Sequence, residues 1–365
     1  MSSPFQSQQQ QEQQQQELPR LQFVDIGANL MDDRFQKGEY FGKERHQADF
    51  DAVLERAIQA GVTHIILTAG TLEESRQAVQ AVRNYRQKHV PSNDDDKNNN
   101  HQKRNLFLAC TVGVHPTRCQ QEFIDNVVAT TRTADTVLDE LRHVAEDGVQ
   151  DGVVVALGEI GLDYDRLQFS PKHVQQEFLQ RQLDVFSSSA ASDTVKSLPL
   201  FLHNRSVGRD LVLALQQHQQ QQQQKQKPQL PLRGVVHSFD DTLELAQEFI
   251  AMGLYIGLNG CSLKTEDNLT VVKELPLSSI LVETDCPYCE IKPTHAGYKY
   301  VQTFFDKRAE KKFVPGMGVK GRTEPNHIVQ VVEVIAGIKG LSTHEVANVC
   351  YKNSLDLYGL SSTLL

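Results

Sequence analysis

The chain has 365 residues, 39% of them hydrophobic and 23% charged, a composition that accommodates one large α/β barrel with insertions. Its 37 basic and 46 acidic residues leave a net charge of −9, which excludes a general basic coat for nucleic acid but not a phosphate site whose positive charge comes from bound metal. The longest apolar runs, such as GVVVAL, are too short to cross a bilayer, and six cysteines in a chain this size point to reduced thiols rather than a disulfide framework.

Residues 1–20 are Gln-rich, without a basic leader or an apolar stretch, so no secretory signal is expected and the chain is placed in the cytoplasm and/or nucleus, not secreted. This arm is expected to be disordered, and the barrel to occupy 21–360. Polar insertions are expected near 91–105 and 216–229, because Asn, Asp and Gln tracts bury too little apolar area to order themselves. The Gln tract could also prolong the helix before it. A further variable insert is expected near 131–152.

Between these segments the chain alternates. Short β-branched runs occur at LQFVDIG, VTHIILTAG, NLFLACTVG, GVVVALGEIG, LPLFLH, LRGVVHSF, GLYIGLNG and SSILVETD, each the length of a buried parallel strand. The stretches separating them have helical periodicity, as in Phe50, Val53, Leu54, Ala57 and Ile58 before Gly61. Two more amphipathic helices follow Pro325 and Ser342. The pattern predicts a (β/α)8 TIM barrel, with a doubly wound open sheet as the alternative.

In such a barrel the reactive residues sit at the C-terminal ends of the strands. Those ends carry Asp25 and Asn29, His115, Glu159, His203, His237 and Asp285. Glu159, His203, His237 and Asp285 make a mixed nitrogen and oxygen set suited to zinc, manganese or magnesium. Two ions about 3.5–4 Å apart would clamp a phosphoryl group and activate water.

One motif competes with this reading. Cys286-Pro287-Tyr288-Cys289 has the spacing of a thiol–disulfide redox pair, but such a pair belongs after an early strand of a small thioredoxin-like unit. Here it follows the last predicted strand, so the chemistry is assigned to Asp285 instead.

The motifs DIGANL, GVHPTRC, GEIGLDYDRLQFSP, FLHNR, VVHSFD, LYIGLNGCSLKTE, ETDCPY, THAGYKY and EPNHIVQVVEVIA resemble, in order, those of TatD-type metal-dependent deoxyribonucleases, most closely the eukaryotic branch. The resemblance spans Phe23 to Gly359 apart from the insertions. It implies a metal-dependent hydrolase barrel that cleaves DNA. Residue by residue, it makes Glu159 the bridging metal carboxylate, His203 and His237 metal ligands, and Asp285 a metal ligand that takes the proton from the attacking water. His115 would contact or hold the scissile phosphate, and Arg205 would fork onto a phosphate, a structural ion pair being its alternative. Many related barrels carry Asp-x-His-x-His after the first strand. Asp25-Ile26-Gly27-Ala28-Asn29 lacks both imidazoles, a pattern also found in the TatD branch, so Asp25 and Asn29 are secondary candidates and the metal count is one or two. Glu324, in a Glu-Pro-Asn-His motif preceded by Thr323 where Asn is common, is expected to orient loop and helix around the site.

The leading expectation is therefore a divalent-metal-dependent deoxyribonuclease, a 3′–5′ exonuclease, using magnesium with manganese or zinc as alternatives. Its partner would be single-stranded DNA or frayed ends. The competing readings are a metal-dependent hydrolase of another ester, such as aminoacyl-tRNA, and an inactive Gln-rich interaction protein. Lys292, Lys299, Lys307, Arg308, Lys311 and Lys312 form either a basic track beside the site or a solvated face.

Overall fold

The computed structural model describes residues 21–89, 106–128, 132–224 and 232–362. Eight strands form its centre: β1 (Phe23–Ala28), β2 (Val62–Leu67), β3 (Phe107–Val112), β4 (Val154–Asp163), β5 (Leu200–Arg205), β6 (Gly234–His237), β7 (Leu254–Leu258) and β8 (Ile280–Val282). They pair side by side in chain order, every ladder parallel. The sheet curls back on itself where Ala28 bridges Cys286. There the Asn29 amide donates to Cys286 O at 2.8 Å and the Asp285 amide to Gly27 O at 2.8 Å. That closure excludes the doubly wound alternative.

The seven intervals between strands hold α1 (Phe50–Ala60), α2 (Leu72–Lys88), α3 (Ala134–Gln150), α4 (Lys172–Phe186), α5 (Asp210–Gln224), α6 (Leu243–Ala251) and α7 (Glu266–Glu274), and α8 (Ile328–Lys339) and α9 (Thr343–Tyr358) follow β8. Local chemistry starts many of them. Thr71, Thr133, Thr242, Thr265 and Ser342 each accept a backbone N–H in the first turn of the helix that follows.

Two apolar layers hold the fold. The larger lies between strands and helices; the smaller fills the barrel with Val24, Ile26, Ile66, Ala109, Ala156, Phe201, Val235 and Leu281, packed with Leu357 and Tyr358 from α9. The interior is thus a packed core and not a channel. It also sets the site, because side chains alternate along a strand. Positions two beyond the inward-facing Phe201, Val235 and Leu281 are His203, His237 and Glu283.

Two of the expected insertions contain helix. Residues 134–150 are the barrel helix α3, with Val137, Leu138, Leu141 and Ala145 buried in the main core. Their polar residues had hidden a single apolar stripe. The Gln tract continues α5 as far as Gln224, since glutamine is a good helix former when the preceding turns are already nucleated. The arm at 1–20 and the insertion at 91–105 lie outside the described residues, as does the end of the Gln tract.

Candidate metal centre

Four side chains converge at the strand ends. Glu159 Oε1, on β4, lies 2.7 Å from His203 Nδ1 at the end of β5 and 2.7 Å from His237 Nε2 at the end of β6. The two imidazole nitrogens are 3.2 Å apart. His115, just past β3, brings its Nε2 to 3.3 Å from both Glu159 Oε1 and His203 Nδ1. His115 therefore sits among the donors themselves, nearer the centre than a purely phosphate-contacting role requires.

Close packing of the backbone makes this convergence feasible. A Cβ on Gly161, two residues past Glu159, would lie 2.1 Å from His203 O, so a glycine is needed for β4 to approach β5 at this level.

Burial raises the electrostatic stakes. Glu159, His203 and His237 are all buried. Desolvation opposes charge on Glu159, but His237, His115 and His203 outweigh it and hold the carboxyl well below its ordinary range. Desolvation likewise opposes a charged His237, yet Glu159 and Glu283 keep it well above the usual imidazole value. His203 is also raised, against its own burial, by Asp163 and Glu159. His115 is lowered by burial despite the attraction of Glu159.

These donors fit a divalent cation. Ligands about 2.0–2.2 Å from one ion and at right angles to each other are roughly 3 Å apart, matching the 2.7 to 3.3 Å separations here. Glu159, His115 and His203 each offer an atom within 4.8 Å of the others. Protons occupying such a cluster compete with metal.

Asp285 stands at its edge. Its nearest electrostatic neighbours include His237, Glu283 and Glu159, and burial, partly offset by His237, pushes its carboxyl up to about 6. Two donors fix its orientation: Asn29 Nδ2 at 2.8 Å from Oδ1 and the Cys289 thiol at 3.3 Å from Oδ2. Asn29 in turn accepts from Thr68 Oγ1 at 2.7 Å, so it acts on Asp285 rather than as part of the imidazole cluster.

Asp25 and Glu324 lie elsewhere. Asp25 is fully buried, accepting from the Thr284 amide at 2.9 Å and hydroxyl at 2.6 Å. Burial pushes its carboxyl up to about 8. It braces β1 against the end of β8. Glu324 accepts from Arg56 Nε at 2.7 Å and Arg322 at 2.8 Å, within a buried ion network that includes Asp49. It anchors the segment after β8 to α1, beside the cluster's supporting loop.

Arg205 ends β5, half-buried. Among the described residues its guanidinium has no hydrogen-bond or ion-pair partner within bonding distance, while against burial the charges of Asp163 and Asp240 raise its pKa. Of the lysine-rich stretch, Lys299 and Lys307 are held by Glu266 at 3.2 Å and Glu290 at 2.9 Å. The Lys299 pair is exposed to solvent and the Lys307 pair mostly buried.

Four supporting residues escape sequence reasoning. Asp163 Oδ2 lies 3.3 Å from His203 Nε2, and Glu283 Oε1 lies 3.5 Å from His237 Nδ1. Each imidazole therefore has a carboxylate behind it, the arrangement that orients a metal-binding histidine. Gln175 and Gln182 are buried on α4, where they hold the backbone of Asp163 and of Val114 in two-way hydrogen bonds of 2.7–3.1 Å. Glu283 was legible in principle, directly after β8 and two residues before Asp285. The glutamines were legible only as polar breaks, seven apart, in an apolar stripe.

A model of the family "TatD related DNase" matches residues 24–359. The chain belongs to that family. Membership makes it a hydrolase acting on ester bonds. Among its TatD relatives, the "Deoxyribonuclease Tat-D" of Schizosaccharomyces pombe is 36% identical over 339 residues, covering 92% of this chain and 96% of the relative. The "3'-5' ssDNA/RNA exonuclease TatD" of Citrobacter koseri is 28% identical over 349 residues, covering 92% and 99%. A crystal structure of a TatD family hydrolase from Entamoeba histolytica superimposes with a TM-score of 0.77 at 34% identity, covering 93% of this chain and 98% of that one. The barrel read from strand alternation is thus the TatD barrel. No helix among the described residues is long and apolar enough to cross a membrane.

Proposed function

We propose that this TatD protein is a divalent-metal-dependent deoxyribonuclease that removes nucleotides from the 3′ end of single-stranded DNA in the cytoplasm or nucleus. The observation that carries the reading is the convergence of two imidazoles on one carboxylate oxygen, Glu159 Oε1, at 2.7 Å each. Kinship with the exonuclease-named Citrobacter koseri relative supports the strand and direction.

Glu159, His203, His237 and Asp285, with His115 beside them, would hold the ion, magnesium being the expected one. When bound, a divalent cation supplies Lewis acidity that polarises a phosphoryl oxygen and acidifies water.

The protein's own groups do the rest. Asp285 Oδ2 accepts the proton of the attacking water, a role for a buried carboxylate with a raised pKa held at a fixed angle. Asn29 keeps Oδ1 in place. Arg205 grips a non-bridging phosphate oxygen pair in a fork that only a guanidinium offers. Asp163 and Glu283 hold the imidazole rings in their orientation.

The test is release of nucleotides from single-stranded DNA labelled at either end, with magnesium or manganese, EDTA, His203→Ala and Asp285→Ala. Metal-dependent release from the 3′ end, abolished by both substitutions, is expected. Release that survives EDTA or both substitutions would sink the mechanism, and loss from the 5′ end first would overturn the direction.

A further inference from the structure

The Cys286-x-x-Cys289 spacing raised a redox question that the barrel answers in an unexpected way. Cys286 is fully buried. Cys289 is half-buried, and its loop packs against the loop that carries Cys261, the residue opening the short turn after β7. The two loops touch through their backbones: a Cβ on Gly260 would lie 1.9 Å from Cys289 O. Cys110, Cys119, Cys286 and Cys350 are buried, whereas Cys261 and Cys289 are both partly exposed. The cysteine reachable by Cys289 is thus the one on the neighbouring loop, and this pair meets a small oxidant first.

The same thiol is one of the two anchors of Asp285, donating to Oδ2 at 3.3 Å while Asn29 donates to Oδ1 at 2.8 Å. We infer that Cys261 and Cys289 are a modification site, forming a reversible disulfide that removes the thiol donor from Asp285 and so lowers activity. With a hydroperoxide as oxidant, the sulfur of Cys261 attacks the O–O bond, leaving a sulfenic acid and releasing water from hydrogen peroxide. The sulfur of Cys289 then forms the S–S bond, its proton departing with the sulfenic hydroxyl as a second water. The two electrons taken from the thiols reduce the peroxide, and a dithiol reverses the step. Afterwards Oδ2 has lost its Sγ–H partner.

The activity part rests on the nuclease reading; the disulfide does not. The metal-loaded full chain is exposed to hydrogen peroxide, then digested without reduction for mass analysis while nucleotide release is followed. A linked Cys261–Cys289 peptide is expected, with the four buried thiols intact and activity falling at least tenfold until dithiothreitol restores it. C261S keeps the starting activity, forms no link and loses activity at least fivefold more slowly. A Cys286–Cys289 peptide, no linked peptide, or equal loss in C261S and the parent overturns the inference. A linked peptide with unchanged activity overturns the effect on Asp285. If the untreated protein releases no nucleotides, the nuclease reading fails, while the mass spectrum still decides the disulfide.

Discussion

Gly27 has no room for a side chain, because a Cβ there would lie 2.6 Å from Glu283 Oε2. The imidazole missing at position 27 of the first motif therefore reflects a space already taken by the carboxylate behind His237.

Gly27→Ala is expected to displace Glu283 and lose the support it gives to His237 and to the Ser238 amide, 2.6 Å away. Overpacking of this kind costs about 1–3 kcal/mol. Thermal unfolding together with a manganese titration checks it: stability and metal affinity should fall together. Unchanged affinity would show that Glu283 does not hold the ring.

Asp163→Asn leaves the shape of the site but weakens the grip on His203 Nε2. Loss of such a supporting carboxylate is expected to weaken metal binding about 10–100-fold, measured calorimetrically, with little change in melting temperature of the metal-free protein because Gln175 still holds the backbone.

Arg205→Ala and Arg205→Lys should both raise KM for DNA, by about tenfold or more, with a smaller change in kcat, since a lysine cannot reproduce a two-toothed phosphate contact. Full rescue by lysine would reduce Arg205 to a point charge.

Glu324→Gln tests the opposite assignment. Breaking a buried ion pair costs about 3–5 kcal/mol, and Glu324 lies between Arg56 and Arg322. The variant should melt earlier, while the folded fraction keeps metal affinity within about twofold. A large affinity loss without destabilisation would return Glu324 to the site.

Acid should weaken the fold through His64. The ring is buried, paired with Thr63 Oγ1 at 2.8 Å and Ser361 O at 3.1 Å, and burial lowers its pKa from 6.5 to about 4. A depressed folded value means the contribution is fully present above pH 6.5 and lost as pH falls toward 4. It amounts to roughly 3 kcal/mol. His64→Gln should flatten this part of a melting-temperature profile between pH 6.5 and 4; an identical slope would assign the acid sensitivity elsewhere.

The sequence by itself determined the alternation of eight strands with helices and the presence of Glu159, His203, His237 and Asp285 at strand ends. Both follow from local periodicity, because a parallel strand must be apolar along its length and its C-terminal end is where polar groups become affordable. The tertiary structure decided the partnerships. Closing the sheet lays β8 beside β1, so Asn29 meets Asp285 and Glu283 fills the space above Gly27, across more than 250 residues of chain. Lateral packing of neighbouring strands puts Asp163 behind His203, and the loop after β7, which carries Cys261, packs its Gly260 against Cys289. Periodicity reveals which face a residue occupies, but side chains choose partners across strands about 4.8 Å apart, and that neighbour relation exists only once the barrel has closed.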